Sequence, residues 1–293
     1  MDAVSLLEIF QLPFMARALA TVAILAVASG VVGLFISFRD LEFVSDGLVH
    51  AVFPGLVVGN LLGGVAGVLP GAVVAALAAA VLLTVLGRRP RLGSDAGIAV
   101  VLTSAFSLGV VLVSRQENYV SQLEELLFGR LLTVTPAQLV QIAVVAAVAI
   151  ALVLLTARSQ LIRAFDPDGF RATGARPALV DLVLNIAVAL LIVAGVQALG
   201  NLMVLALLTV PMAISRLVTR RFAWLVPLAV LTPLLAGAAG LWLTFTASVV
   251  GGHTPSPGAV VVLLLVGLYG LAVLWSLARR RGARSRVSSG GAR

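Results

Sequence analysis

An aspartate and a histidine four residues apart, Asp46 and His50, stand in an otherwise apolar stretch that runs on into Leu56-Val57-Val58-Gly59-Asn60-Leu61-Leu62-Gly63. On a helix, residues at i and i+4 share a face, so a carboxylate oxygen and an imidazole nitrogen would lie close enough to hold a small cation or a proton between them. Two other readings are open. Asp46 could cap the helix start within Val44-Ser45-Asp46-Gly47, and His50 could be a satisfied interior histidine. A charge at the centre of a membrane helix costs about 2.5–3.5 kcal/mol on insertion scales, which favours a residue that is hidden and used. Two ligands fall short of the four of a structural zinc site, but a site that must release its ion needs an incomplete shell. Further polar residues in apolar runs are Asp181 and Asn185, again four apart, Gln197 and Asn201 on either side of a turn, and His253 in Gly251-Gly252-His253-Thr254-Pro255. For each of these, interhelical hydrogen bonding or a loop contact is the competing reading. Glycines at 55, 59 and 63 repeat at four-residue spacing and read as a packing stripe.

The elements that must hold these residues are membrane spans. Of 293 residues, 61% are hydrophobic and 11% charged, and the mean hydropathy of +1.15 lies outside the range of a water-soluble domain. A span takes roughly twenty residues. On that ruler nine apolar segments are expected, near 14–37, 43–62, 68–87, 96–114, 136–157, 179–198, 201–215, 222–247 and 258–278. The seventh is short and follows the sixth almost without a turn, so a broken or re-entrant helix is expected there, covered by protein or by a watery cavity. Asp2 and Glu8 precede the first apolar run and no basic residue stands before Arg17, so no cleaved leader is expected. There is no cysteine, which excludes disulfides and thiolate metal ligands. All 20 basic residues are arginine, and without lysine the chain cannot build a Gly-x4-Gly-Lys-Ser/Thr phosphate loop of its own.

The arginines report orientation rather than nucleic acid. With the N-terminus outside, 17 of the 20 fall on inner segments, and Arg17, Arg115 and Arg130 remain outside. The N-terminus is therefore expected outside and the C-terminus in the cytoplasm. Residues 1–278 read as one membrane domain and 279–293 as a basic, disordered tail near anionic lipid. The outer connection from Arg115 to Leu132 has apolar residues at helical spacing and reads as an amphipathic surface helix. The inner loop, 158–178, contains Phe165-Asp166-Pro167-Asp168-Gly169-Phe170-Arg171-Ala172-Thr173-Gly174, whose Asp-Pro start reads as a short capped helix on the cytoplasmic face.

Five motifs, in order, resemble one family over nearly the whole chain: Ser45-Asp46-Gly47-Leu48-Val49-His50-Ala51-Val52-Phe53-Pro54-Gly55; Leu127-Phe128-Gly129-Arg130-Leu131-Leu132-Thr133-Val134-Thr135-Pro136; Phe165-Asp166-Pro167; Gly200-Asn201-Leu202-Met203 through Pro211-Met212-Ala213; and Thr254-Pro255-Ser256-Pro257-Gly258. The family is that of the zinc/manganese permeases of ATP-binding-cassette importers. The resemblance implies an all-α polytopic bundle of eight or nine spans, of the type II importer kind, that works as a homodimer in a bacterial inner membrane. It implies a separate ATPase on the cytoplasmic side, an extracytoplasmic binding protein that delivers the metal, and no permanently bound cofactor. It makes Asp46 and His50 the transit site for Zn2+ or Mn2+, with His253, Asp181, Gln197 and Asn201 as further candidates on the metal path. Phe165, Asp166, Pro167, Asp168, Arg171 and Gly174 become the segment that meets the ATPase. Two departures stand out: Arg130 occupies a position where the family often has an acidic residue, and His253 one where it often has aspartate. If His253 is a second imidazole ligand, zinc is favoured; manganese stays open.

Other classes fit less well. An intramembrane enzyme would need a motif such as His-Glu-x-x-His or Gly-x-Ser-x-Gly, and neither is present. A self-sufficient secondary metal or proton-coupled carrier could also use Asp46 and His50, but the inverted repeat common in such carriers is not visible. The arginine distribution yields a direct test. Single cysteines placed in this cysteine-free chain are expected to react with an impermeant maleimide from outside at Gln116 and from the cytoplasm at Ser159, and reversed labelling would overturn the orientation.

Overall fold

A computed structural model describes residues 9–88, 95–114, 127–252 and 255–290, and among these the chain is helical with no strand. The helices are α1 (Pro13–Phe38), α2 (Glu42–Leu86), α3 (Asp95–Val113), α4 (Pro136–Leu155), α5 (Ala157–Phe165), α6 (Pro167–Ala172), α7 (Pro177–Val218), α8 (Phe222–Gly251) and α9 (Pro257–Gly290). Apolar runs this long become helices because only a helix satisfies its own backbone away from water. Their starts are written in the sequence: proline opens α1, α4, α6 and α7, where the missing N–H costs nothing. At α4, Thr135 and Gln138 form a reciprocal capping box. Gly252, left-handed at φ 64°, closes α8.

Two of these helices are hairpins. In α2 the backbone breaks at Gly64, with φ 57° and ψ −148°, and in α7 at Gly200, with φ 75° and ψ 165°. Only glycine enters this region without penalty. In a straight helix, Gly59 and Gly67 would stand about 12 Å apart, yet a methyl group on either would overlap the carbonyl of the other. Likewise a methyl on Gly195 would meet the Val204 side chain across the Gly200 break. Among the described residues, eight helical segments are long and apolar enough to cross a membrane when α7 is taken whole. Dividing it at Gly200 recovers the nine apolar segments read from the sequence. The shorter half, 201–218, returns to the level from which the first half set out, because Arg216 near its end donates to the Ser37 carbonyl at 2.9 Å while Asp181 near the start of α7 is paired with Arg39. The hairpin thus traverses the full depth twice and is not re-entrant.

The bundle is built around α7, which touches α1, α2, α4, α8 and α9. Sixty-one per cent of its most apolar stretch is buried, against 17% for α3 and for α9, which form the periphery. Peripheral side chains such as Val140, Val144, Val148, Leu263 and Leu271 are exposed, which costs nothing against lipid tails. Contacts define two ends. At the arginine-poor end, Arg17 donates to the Val134 carbonyl at 2.9 Å, and Gly129, Gly200 and Gly258 bring three segments into backbone contact. At the arginine-rich end lie the α1–α2 turn, α5, α6 and the feet of the α7 hairpin. The helix α9 runs on to Gly290 through arginines where the sequence reading places a disordered tail. An anchored helix has already been nucleated, and alanine and arginine extend it at little cost. The outer surface helix expected over 115–132 falls mainly on residues outside those described; within its described end, Leu131–Thr133 is a 3-10 turn.

The glycine stripe of the sequence divides here. Gly55 and Gly59 face Gly71 and Gly67 across the α2 hairpin, while nothing lies within 4 Å of a methyl group on Gly63. Gly59→Ala is therefore expected to destabilise the purified protein by about 1–3 kcal/mol, the range of an overpacked core, with Gly63→Ala close to wild type. Equal melting temperatures for the two variants would show that the hairpin does not depend on this contact.

Candidate functional site

Asp46 does not cap α2. The helix begins at Glu42 with Leu41 as its N-cap, and the Ser45 hydroxyl bonds back to the Leu41 carbonyl at 2.9 Å. Asp46 stands one turn inside, with His50 a turn further. Their side chains face each other, His50 Nε2 lying 3.4 Å from Asp46 Oδ1, and each remains partly accessible, at 20% and 27%. At 3.4 Å this is contact without a good hydrogen bond. Asp46 Oδ1 and His50 Nδ1 are both shielded and have no hydrogen-bond partner, so His50 is not a satisfied interior histidine either. Two ligands at about 2.0–2.2 Å from one metal ion stand roughly 3 Å apart, and the observed separation suits a shared ion.

The imidazole is held from α3. Phe106 meets its ring edge-on at 5.3 Å, and Phe53 stacks on Phe106 at 5.4 Å. Phe53 has room only because position 109 is glycine, where any side chain would strike its ring. The helices close tightly at Gly47, where a methyl group would stand 3.0 Å from Ile98. Phe106, which sequence reasoning missed, carries no polar signal that could have revealed it. Among the described residues, no group of three or more histidines and carboxylates is gathered, so one chain offers a bidentate, open pair.

The other candidates lie elsewhere. Asp181 is paired with Arg39, and Arg163 Nε stands 3.6 Å from the same oxygen. Its charge is therefore already answered. Asn185 donates to Thr84 Oγ1 at 2.8 Å. Gln197 is some 24 Å further along α7 than Asp181, at 1.5 Å per residue. It lines a cavity of about 540 Å³ at the arginine-poor end, together with Asn60, Arg130, Thr133, Gln138 and Gln141. Asn201, just past the Gly200 break, is buried with both amide atoms unpartnered. His253 lies outside the described residues.

At the opposite end, α5 and α6 form a short angled pair. Asp166 caps α6 by accepting from Gly169 N at 2.8 Å, with Pro167 in the first helical position. Phe170 is buried and anchors the helix, while Phe165 is 69% exposed and touches Phe38 at a ring separation of 5.3 Å. Asp168 and Arg171 form an exposed pair at 3.2 Å, of little energetic weight. Gly174, at φ 75°, ends the segment with open space around it. A cavity of about 340 Å³ lies between this pair and the α1–α2 turn, bordered by Arg39, Asp40, Thr84, Arg163, Pro167 and Asp181.

Comparison with known proteins places this arrangement. A manganese transport system membrane protein, MntC of Halalkalibacterium halodurans, is 28% identical over 92% of this chain and 89% of its own length. A probable iron transport system membrane protein of Haemophilus influenzae is 26% identical over 94% of this chain and 98% of its own. Among solved structures, PsaBC from Streptococcus pneumoniae in complex with Fab superposes with a TM-score of 0.77 at 25% identity, covering 91% of this chain and 94% of that one. A metal-chelate type ABC transporter in an inward-facing conformation shares the fold, with a TM-score of 0.69 at 15% identity. Residues 11–276, almost the whole helical bundle, match the ABC 3 transport family, and the chain is a member of that family.

Proposed function

We propose that this protein is the membrane permease subunit of an ATP-binding-cassette importer for a divalent transition metal, with manganese as the leading cargo. The observation that carries the reading is the Asp46–His50 pair: a carboxylate and an imidazole, facing each other inside an apolar helix, with shielded atoms that nothing among the described residues satisfies. Manganese takes precedence over the zinc favoured by ligand counting. Relatives of this chain carry manganese and iron in their names. A carboxylate with one imidazole suits a harder ion at least as well as zinc.

The pair supplies two ligands, and its open side is left for water or for the same residues of a second copy in a homodimer. Orientation follows the arginine distribution, with the α5–α6 pair on the cytoplasmic side of a bacterial inner membrane. There Phe165, Asp166, Pro167, Asp168, Arg171 and Gly174 would meet a separate ATPase. The 540 Å³ cavity then opens outward, toward an extracytoplasmic metal-binding protein.

Two experiments test the reading. Asp46→Asn and His50→Ala are each expected to cut manganese uptake by about tenfold or more, since the first replaces a charged ligand by a neutral, weaker oxygen and the second removes the imidazole, losses at least as large as those of outer-shell partners, while the chain still co-purifies with its ATPase. Near-normal uptake in Asp46→Asn would sink the transit-site assignment. Asp166→Ala is expected to loosen α6 by about 1 kcal/mol through loss of its cap, with Asp166→Asn nearly silent. Hydrogen exchange across residues 166–174 reads the cap, and ATPase co-purification reads the contact. Undiminished co-purification in both Asp166→Ala and Phe165→Ala would place the ATPase contact elsewhere.

A further inference from the structure

The turn between α1 and α2 is unusually stiff. Leu41 N donates to the Ile36 carbonyl at 3.0 Å, closing α1 by a six-residue loop whose left-handed position is Asp40, at φ 51°. Asp40 is the only non-glycine residue with positive φ among the described residues. Arg39 is the C-cap of α1, and Leu41 is already the N-cap of α2. Between the Arg39 backbone and the helix that carries Asp46 there is therefore almost no slack. Whatever moves Arg39 moves the start of α2.

Arg39 is held by α5 and by the start of α7, the helix against which α2 itself packs. Its side chain is only 8% exposed, and it pairs with Asp181 near the start of α7. It also donates to Gln160 Oε1 on α5 at 2.9 Å. Gln160 is fully buried and donates in turn to the Val180 carbonyl, 2.9 Å away, beside Asp181. Arg163, also on α5, approaches the same Asp181 oxygen at 3.6 Å. One carboxylate thus stands between two guanidiniums from different helices, with an amide completing the set. The 340 Å³ cavity beside it gives these side chains room to shift. On the far side of α5, Phe165 touches Phe38, the last residue of α1, and leaves the rest of its ring exposed.

We infer that Arg39, Asp181, Arg163 and Gln160 form the latch through which movement of the α5–α6 pair is passed to α2, so that the Asp46–His50 pair changes its grip on the ion when the ATPase acts. These are positioning residues; none touches the ion. The inference rests on the permease reading above. Loosening the latch should leave ATP hydrolysis running while fewer ions cross per ATP, whereas a merely structural cluster would lower both together.

The test uses the full transporter, permease with its ATPase and metal-binding protein, in liposomes, with manganese as the probe and uptake and ATP hydrolysis measured in parallel. Asp181→Asn is expected to lower manganese transported per ATP by about fivefold, within the range of coupling changes such networks support, and Asp181→Glu to restore it. Because Asp181→Asn strands two arginines and could unfold the chain, Gln160→Met serves as the second variant: it keeps every charge and nearly the same volume, and is expected to lower the ratio in the same direction. An unchanged ratio in Gln160→Met, or a parallel fall of uptake and hydrolysis in the assembled variants, overturns the latch. A wild-type chain that binds no ATPase or takes up no manganese would instead defeat the permease reading, so the two failures are told apart.

Discussion

In hydrocarbon a polar group that is not answered from within the protein costs several times what it costs near water. Most of this molecule can be read as the working out of that constraint. Serine and threonine hydroxyls within the spans turn back on their own helices, as Thr21, Thr84, Ser215 and Thr244 do on carbonyls four residues earlier. Arg17 and Arg216, at opposite ends, spend their guanidiniums on carbonyls of neighbouring segments. Asn185 finds Thr84, and Asp181 is shared by two arginines. Against that background the buried atoms without a hydrogen-bond partner among the described residues stand out: those of Asp46, His50, Asn201 and the Trp242 indole, with Arg163 Nε, which only approaches Asp181. Only in the first two are a potential anion and a metal-ligating imidazole set face to face. The site is conspicuous because most other buried polar side chains among the described residues are answered.

What the sequence made legible followed from long-range averages. Apolar runs of about twenty residues located the eight candidate spans among the described residues, and the two halves of α7 on either side of Gly200, since length and hydropathy determine a span with little help from tertiary contacts. Thr135-Pro136 and Asp166-Pro167 announced their helices through local chemistry alone. The i, i+4 spacing of Asp46 and His50 placed them on one face without any knowledge of the fold.

What stayed hidden was which residues meet across the bundle. Asp181 and Asn185 share the spacing of Asp46 and His50, and no local rule separates the two pairs. The difference lies in Arg39 and Thr84, more than 100 residues away in the chain. Gly55, Gly59 and Gly63 look equivalent, yet the break at Gly64 turns the chain just where Gly63 would have joined the stripe. The capping reading of Asp46 failed for a similar reason: the helix starts earlier than its first polar candidate, because the preceding turn closes on Ile36 and delivers the chain already helical at Glu42. Phe106 was invisible for the opposite reason, being one aromatic among many in an apolar helix.

The meeting of Gly129, Gly200 and Gly258 bears on how the molecule comes to be made. A side chain at Gly200 would strike the Leu127 carbonyl, one at Gly129 the backbone at Leu199, and one at Gly258 the Phe128 carbonyl. Three stretches of backbone, the outermost two separated by well over 100 residues, therefore touch with nothing between them. During synthesis the first two can be brought together as soon as the α7 hairpin has been inserted, but the third does not exist until the last span emerges. The arginine-poor end thus gains this wall only once α9 has been made, and until then the lipid or the insertion machinery must stand in for it.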